Sequence, residues 1–277
     1  MDRPDEDPWA VLPPLAPLGL SARDQRERER ERRIHEHVRR HRDHGSGPPR
    51  RVRGLTREEI VRTAITVADA EGVDAISMRR LARELNVGVM SLYWHVASKE
   101  ELHDLMLESF EGEIQVPEPS GDWREDMRAI ARNTRAALLR HEWAMDFKGF
   151  RPPSGPNDAQ NADRMFGALD GLDLDVNMIV MVTMTIGTYV LGAVLREIRE
   201  IRLQRETEQA IAGMTAEEVT ALHDEFAKRI LDSGRYPHIA RLIQENVDPD
   251  SPDTRDARFE FGLECVLDGI AARLPGG

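Results

Sequence analysis

From Thr56 onward, apolar residues return at intervals of three and four. Ile60, Ala64, Val67 and Ala68 make one such stripe, the spacing of a single face of an α-helix. Thr56 with Glu59 three positions later has the form of a capping box, and Gly72 stops the run, so the pattern predicts a first helix between them. Ser77 then heads a short helix carrying Leu81, Ala82 and Leu85. The turn Asn86-Val87-Gly88 follows, with Gly88 free to take a positive φ. Ser91 to Val96 is expected as a third short helix with Leu92, Trp94 and Val96 inward and Ser91, Tyr93 and His95 outward. Ser98 with Glu101 repeats the capping pattern and opens a fourth helix, with Leu102, Leu105 and Met106 inward, that runs to about Glu111.

Beyond Pro117 and Pro119, helical patterns cover about Asp122 to Arg140, Asn157 to Leu169, Leu174 to Arg205, Thr215 to Leu231 and Thr254 to Arg273. No segment alternates with period two, so no sheet is expected and the fold class is all-α. The stretch Val176 to Leu195 lacks a formal charge over a length that could cross a bilayer. Asn177, Thr183, Thr185, Thr188 and Tyr189 dilute it, and Ile198 and Ile201 carry its phase into charged surroundings, so a buried helix with no membrane partner is expected.

Composition sharpens this picture in three places. The chain has 277 residues with a net charge of −12, which argues against nucleic acid until the distribution is read. Residues 21–53 hold twelve Arg against six acidic residues, and Ser77 to Lys99 holds Arg79, Arg80, Arg83 and Lys99 against Glu84 alone. A phosphate-facing patch needs only local charge. The single cysteine, Cys265 in FGLECVLDGI, excludes an internal disulfide, a multi-cysteine zinc site and an iron-sulfur cluster, and is expected as a buried structural thiol. The opening MDRPDEDPWAVLPPLAPLGL has acids and prolines where a signal peptide would have a basic start and an apolar run, so a cytoplasmic protein is expected.

Three parts follow. Residues 1–53 form a Pro-rich and Arg-rich arm, disordered or marginally helical, whose Ile34 and Val38 give it no apolar face to bury. His35, His37, His41 and His44 within it read as solvated rather than metal-binding. Residues 54–112 form a three-helix helix-turn-helix unit, and 113–277 a larger helical domain for ligand binding and dimerisation. No cofactor is expected, and no nucleophile elbow, phosphate loop or dinucleotide fingerprint occurs.

A helix, a short turn containing Gly and a second short helix are the arrangement that places a reading helix in the major groove. Against this stand a helical enzyme with an incidental turn and a structural, DNA-associated or protein-interaction module. Trihelical organisation, capping at two helix starts and a local positive excess on the expected face favour a DNA-binding regulator.

The stretch ISMRRLARELNVGVMSLYWHVASKEEL resembles the DNA-binding domain of the TetR family. The helix at Trp123, the GFRP stretch, TIGTYVLGAVL and FGLECVLDGI resemble that family's C-terminal domain in the same order, over residues 55–275. The resemblance implies groove-edge contacts from Arg79, Val89, Met90, Ser91, Tyr93 and His95, and phosphate contacts from Ser77, Lys99 and the Met78 backbone N–H. Val89 and Met90 can meet a thymine methyl but cannot read a purine edge with two hydrogen bonds. It also implies a ligand-released homodimeric repressor on palindromic double-stranded operator DNA, paired through the long helix after Leu174 and the last helix.

In family members that take magnesium-bound tetracycline, a His, a Thr and a Glu organise the site. The matching positions here are Phe147, Phe150 and Arg196, none a ligand for a hard cation. Trp143, Met145, Phe147, Phe150, Met165, Phe166, Met178, Met181 and Tyr189 suit an apolar, adaptable pocket. The effector-lining set is therefore expected to be Ile130, Thr134, Phe147, Phe150, Arg151, Met165, Met178, Met181 and Tyr189, around a small hydrophobic or aromatic, polyketide-like molecule.

Overall fold

The computed structural model describes residues 54–146 and 155–274, and among these every regular element is helical and no strand forms. The arm, with its four histidines, lies outside the described residues, as do Phe147, Phe150 and Arg151.

Helix α1 (Arg57–Glu71) starts where Thr56 Oγ1 accepts from the Glu59 N–H at 3.1 Å, and it buries Ile60, Val61, Ala64, Val67 and Ala68. Gly72, at φ 84°, ends it. Helix α2 (Met78–Glu84) is capped by Ser77 Oγ, which accepts from the Arg80 N–H at 3.2 Å. Its exit differs from expectation. The Val87 N–H donates to Ala82 O at 2.9 Å and the Asn86 N–H to Arg83 O at 3.1 Å, a Schellman closure whose left-handed position is Asn86, at φ 51°. Gly88 has φ −71° and an added Cβ would meet only ordinary contact, so its flexibility is not what makes the turn.

Helix α3 (Val89–Tyr93) begins two residues before the expected Ser91 and ends before Val96. Helix α4 (Lys99–Glu113) is capped by Ser98 Oγ, accepting from the Glu101 N–H, and buries Leu102, Met106, Leu107 and Phe110. The reciprocal half of the expected capping box is displaced by one residue, because the Glu101 carboxylate accepts from the Ala97 N–H.

Eight further elements follow: α5 (Trp123–Arg140), a 3-10 turn (Glu142–Asp146), α6 (Pro156–Gly167), α7 (Val176–Ile211), α8 (Ala216–Ser233), α9 (Pro237–Gln244), a second 3-10 turn (Pro252–Thr254) and α10 (Arg255–Ala271). Asp122 starts α5 by accepting from the N–H groups of Arg124 and Glu125, both at 3.1 Å. Helix α6 is docked on α4 by a side chain from outside itself. Glu108 Oε1 accepts from the Asn157 N–H at 2.8 Å, placing a carboxylate at the positive end of α6. Helix α7 has 36 residues, about 54 Å at the usual rise, and packs against both α5 and α10. The full capping box of the described chain sits at Thr215 and Glu218, heading α8. Sequence periodicity missed α9, which Pro237 opens and a second Asn Schellman turn at Asn246 closes.

Antiparallel α5 and α10 are joined by a ladder of ion pairs. Arg124 meets Asp268, Arg128 meets Glu264, Arg132 meets Glu260, and Arg135 meets Asp256. Steps of three and four on α5 against steps of four on α10 keep one face of each helix aligned over three turns. Arg135 also bridges to Glu197 of α7 at 2.9 Å with both side chains largely buried, and its guanidinium lies 4.7 Å from the centre of the Phe259 ring. One arginine thus ties the three principal helices together.

Candidate DNA-reading and effector sites

The headpiece places its polar and apolar groups by helical geometry rather than by alternation. Leu92, Tyr93 and Val96 face the core, whereas Ser91, Trp94 and His95 are half-buried. Positions i, i+1 and i+4 share one side of a 3.6-residue helix, so the expected set of Leu92, Trp94 and Val96 belonged to a strand-like period. Tyr93 keeps only 7% of its surface accessible. His95 has a shielded Nε2 with no hydrogen-bond partner among the described residues. Burial lowers the affinity of that ring for a proton, with Arg57 pushing the same way and Glu58 opposing. Arg57 Nε donates to His95 O at 3.0 Å and its terminal nitrogen to Glu101 at 3.1 Å, so the start of α1 holds both the end of the reading helix and the start of α4.

Outward exposure concentrates at the beginning of α3. Met90 is exposed and Val89 and Ser91 are half-buried, while Arg79 and Arg83 project from α2. Arg80, by contrast, is engaged by Glu71 at 2.8 Å and by Glu84 at 2.7 Å. Ser77 is exposed and its hydroxyl is committed to capping α2, Met78 is buried with its N–H at the helix start, and Lys99 stands half-buried in the first turn of α4. These positions form one side of the headpiece, where Arg79, Met90 and Ser91 can approach a groove edge and two helix N-termini can approach phosphate.

In the C-terminal part, Tyr189 of the expected effector set lines a cleft between α7 and α10, and Ile130, Thr134, Met165, Met178 and Met181 do not line it. Ile130 is buried and Thr134 half-buried on α5, and Met165 of α6 and Met178 of α7 are half-buried against the core. Met181, three residues beyond Met178, is 48% exposed on the outer face of α7. The Tyr189 hydroxyl donates to Phe259 O at 2.6 Å, which turns this side chain toward α10. There it lines a cleft of about 420 Å³ with Thr188, Gly192, Phe259 and Gly262, closed at one end by Arg196, Glu200, Arg255 and Arg258. Arg196 pairs with Glu200 and with Asp250, both at 2.6 Å. Among the described residues no three His, Cys, Asp or Glu side chains are gathered as a metal would require.

The long helix is not buried as expected. It is long and apolar enough to cross a membrane, with a mean hydropathy of 2.0 over its most apolar window, yet only 28% of that window is buried in the single chain. Met181, Met184, Thr188, Gly192 and Leu195 follow one another at steps of three and four along an open face. On α10, Phe261 is 74% exposed and Cys265, expected as a buried thiol, is exposed one turn later. Two neighbouring helices therefore leave large apolar side chains without cover, the kind of surface that marks an interaction site.

Comparison with known proteins accounts for this arrangement. The model for bacterial regulatory proteins of the tetR family matches residues 60–105, and that for the tetracyclin repressor-like C-terminal domain matches 116–274. The HTH-type transcriptional repressor DrrR1 of Streptomyces coeruleorubidus is 34% identical over 78% of this chain and 77% of its own length. The class A tetracycline repressor from transposon 1721 of Escherichia coli is 28% identical over 77% of this chain and 89% of its own. Among solved structures, ActR of Streptomyces coelicolor in complex with actinorhodin is similar with a TM-score of 0.61 and 31% identity, covering 80% of this chain and 98% of that one. Family models over both halves, together with these relatives, place the chain in the TetR family of bacterial regulatory proteins: soluble, non-enzymatic, DNA-binding transcriptional repressors that act as dimers and respond to small-molecule ligands.

Proposed function

We propose that residues 54–112 are the operator-reading domain and 113–277 the effector and dimerisation domain of a cytoplasmic repressor, with Ser77, Met78, Arg79, Val89, Met90, Ser91, Tyr93, His95 and Lys99 as its DNA-facing set. The observation that carries this reading is the exposed start of α3 beside Arg79 and Arg83, a local positive face in the otherwise acidic part of the chain from residue 54 onward. Met90 and Ser91 supply direct contact with base edges. Tyr93 and His95 act chiefly by holding the helix, given their burial. Two headpieces of a dimer engage half-sites about one helical turn apart, near ~34 to 36 Å. The test is selection of a palindrome from random DNA by the purified protein, followed by release with candidate effectors; a protein that enriches no sequence overturns it.

We assign the effector to a flat apolar or aromatic small molecule, held among α5, α6 and α7 by Ile130, Thr134, Met165 and Met178. Likeness to ActR, which is seen with actinorhodin, supports this class. So does the chemistry of half-buried methionines, which fill irregular space and adapt to aromatic faces. Arg196, committed to Glu200 and Asp250, offers a cation no coordination, which argues against a magnesium-tetracycline effector. Phe147, Phe150 and Arg151 remain part of the assignment on sequence grounds. Tyr189 lines the α7–α10 cleft instead and would contribute from there, and Met181 stands on the exposed face of α7.

A further inference from the structure

Asp69 near the end of α1, Glu113 at the end of α4 and His141 just after α5 meet beneath Phe110 and Trp143. His141 Nδ1 lies 2.8 Å from Asp69 Oδ1, and its Nε2 lies 2.9 Å from Glu113 Oε2. A neutral imidazole has one N–H and one lone pair, so only one of these contacts could then be a hydrogen bond, and the other would set a lone pair against a carboxylate oxygen. Both are hydrogen bonds when the ring carries a proton on each nitrogen.

The surrounding groups are compatible with that state. The Trp143 indole N–H donates to the same Asp69 oxygen at 2.7 Å, and Arg140 stands 3.8 Å from Glu113 Oε2. Glu142 is turned away to Arg202 of α7. Phe110 meets the imidazole edge-on with ring centres 6.1 Å apart, and Trp143 is tilted beside it at 5.9 Å. The His141 side chain is only 12% exposed, while Asp69 and Glu113 keep 33% and 40%, so the ring is held inside and the carboxylates reach it from the surface.

The position of the three residues in the chain gives the cluster its meaning. Asp69 belongs to the headpiece, His141 and Trp143 to the C-terminal bundle, and Glu113 to the helix that runs between them. The cluster is a non-covalent joint beside the covalent path through α4.

We propose that His141 is a positioning residue for operator binding: as an imidazolium held between Asp69 and Glu113, it fixes the angle of the headpiece against the effector domain. The proposal rests on the reading of α2 and α3 as the operator-contacting unit. A dimer must present two headpieces at one separation, and a joint that narrows their freedom beforehand lowers the ordering cost of binding both half-sites. Losing the bond to Asp69 leaves α1 held to this corner of the bundle by the Trp143 hydrogen bond alone, which loosens the headpiece without touching the reading helix.

The test uses full-length protein with Cys265→Ser and one spin label at Asp74→Cys, an exposed headpiece site, so that each dimer carries two labels. The unmodified joint gives a narrow inter-label distance distribution. His141→Gln and the shape-conserving Asp69→Asn broaden it and weaken operator binding by about fivefold or more, the low end of ordinary coupling between sites. Nitrogen-15 spectra of the unsubstituted protein show both His141 ring nitrogens protonated. An unchanged distribution with unchanged affinity in Asp69→Asn, or a ring with one bare nitrogen, overturns the proposal. If the unsubstituted protein selects no operator, the reading-helix assignment fails, while the distance widths and the ring spectra still judge the joint.

Discussion

Arg128 of α5 grips Glu264 of α10 with two parallel hydrogen bonds, Nε to Oε1 at 2.6 Å and Nη2 to Oε2 at 2.9 Å. This fork geometry fixes orientation as well as distance. Arg132 and Glu260 repeat it at 2.8 Å for both bonds, one turn along. The Arg128 hydrogen bond holds the Glu264 carboxyl below its ordinary range and Arg132 does the same to Glu260, in each case against a smaller opposing cost of burial. A carboxylate with a depressed folded-state value contributes stability that is fully present above the unfolded value, near ~4.3, and is lost as pH falls through the folded value. Thermal melts across an acid series are therefore expected to show a steeper loss of stability below about pH 4 for the native chain than for an Arg128→Met, Arg132→Met variant. Parallel curves would show that the ladder contributes nothing net. Both glutamates are more than a third exposed, so the difference is expected to be small.

Tyr93 separates structure from recognition within the reading helix. Tyr93→Ala empties a buried site and is expected to cost about 3 to 5 kcal/mol of stability, as large aromatic truncations do. Tyr93→Phe is expected to leave the melt unchanged within about 1 kcal/mol and to reveal, in operator titrations, whether the hydroxyl adds affinity. Met90→Ala and Ser91→Ala are expected to lower the preference for operator over scrambled DNA with little change in stability. An undiminished preference in both would move the reading surface away from the start of α3.

The open face of α7 and α10 makes a prediction about assembly. Met184→Asp or Phe261→Asp puts a charge where an apolar side chain is 53% and 74% exposed in the single chain, on the face expected to pair in the dimer. Sedimentation is expected to show monomers for either variant, with helical content retained. Intact dimers in both would place the interface elsewhere.

For the effector, calorimetry with tetracycline and magnesium is expected to show no metal-dependent binding. An aromatic ligand that releases operator should bind Met178→Ala more weakly than the native chain, by on the order of tenfold for a lost apolar side chain. Tight, metal-dependent tetracycline binding would overturn the assignment.

The Arg-rich arm ends at Arg50, Arg51 and Arg53, immediately before the first helix of the headpiece. If it meets flanking phosphates, deletion of residues 1–49 should reduce the slope of log affinity against log salt by about 0.9 for each phosphate released, with operator preference unchanged. The other reading is a solvated tail, and an identical slope and affinity after deletion would support it.

The sequence by itself determined the elements whose signals are local. Thr56, Ser77 and Ser98 cap the helices they were expected to cap, because a hydroxyl and an N–H three residues on need nothing from the rest of the chain. The 3.6-residue stripes on α1 and α4, and the order of helices from Trp123 to Ala271 apart from α9, were legible for the same reason. Where local signals competed, the structure decided: Asn86 rather than Gly88 took the left-handed position, since the Schellman bonds to Ala82 and Arg83 fix it there. Burial within α3 needed the docking direction of the helix, which turned Tyr93 inward and Trp94 partly out. The ladder from Arg124 to Arg135 and the His141 joint were invisible beforehand because their partners lie 28 to 144 residues apart. An ion pair between distant helices leaves no trace in local spacing. The exposure of Met184, Phe261 and Cys265 was likewise hidden, because apolar composition records only that a side chain favours cover, and the packed chain shows which of them its own helices leave open.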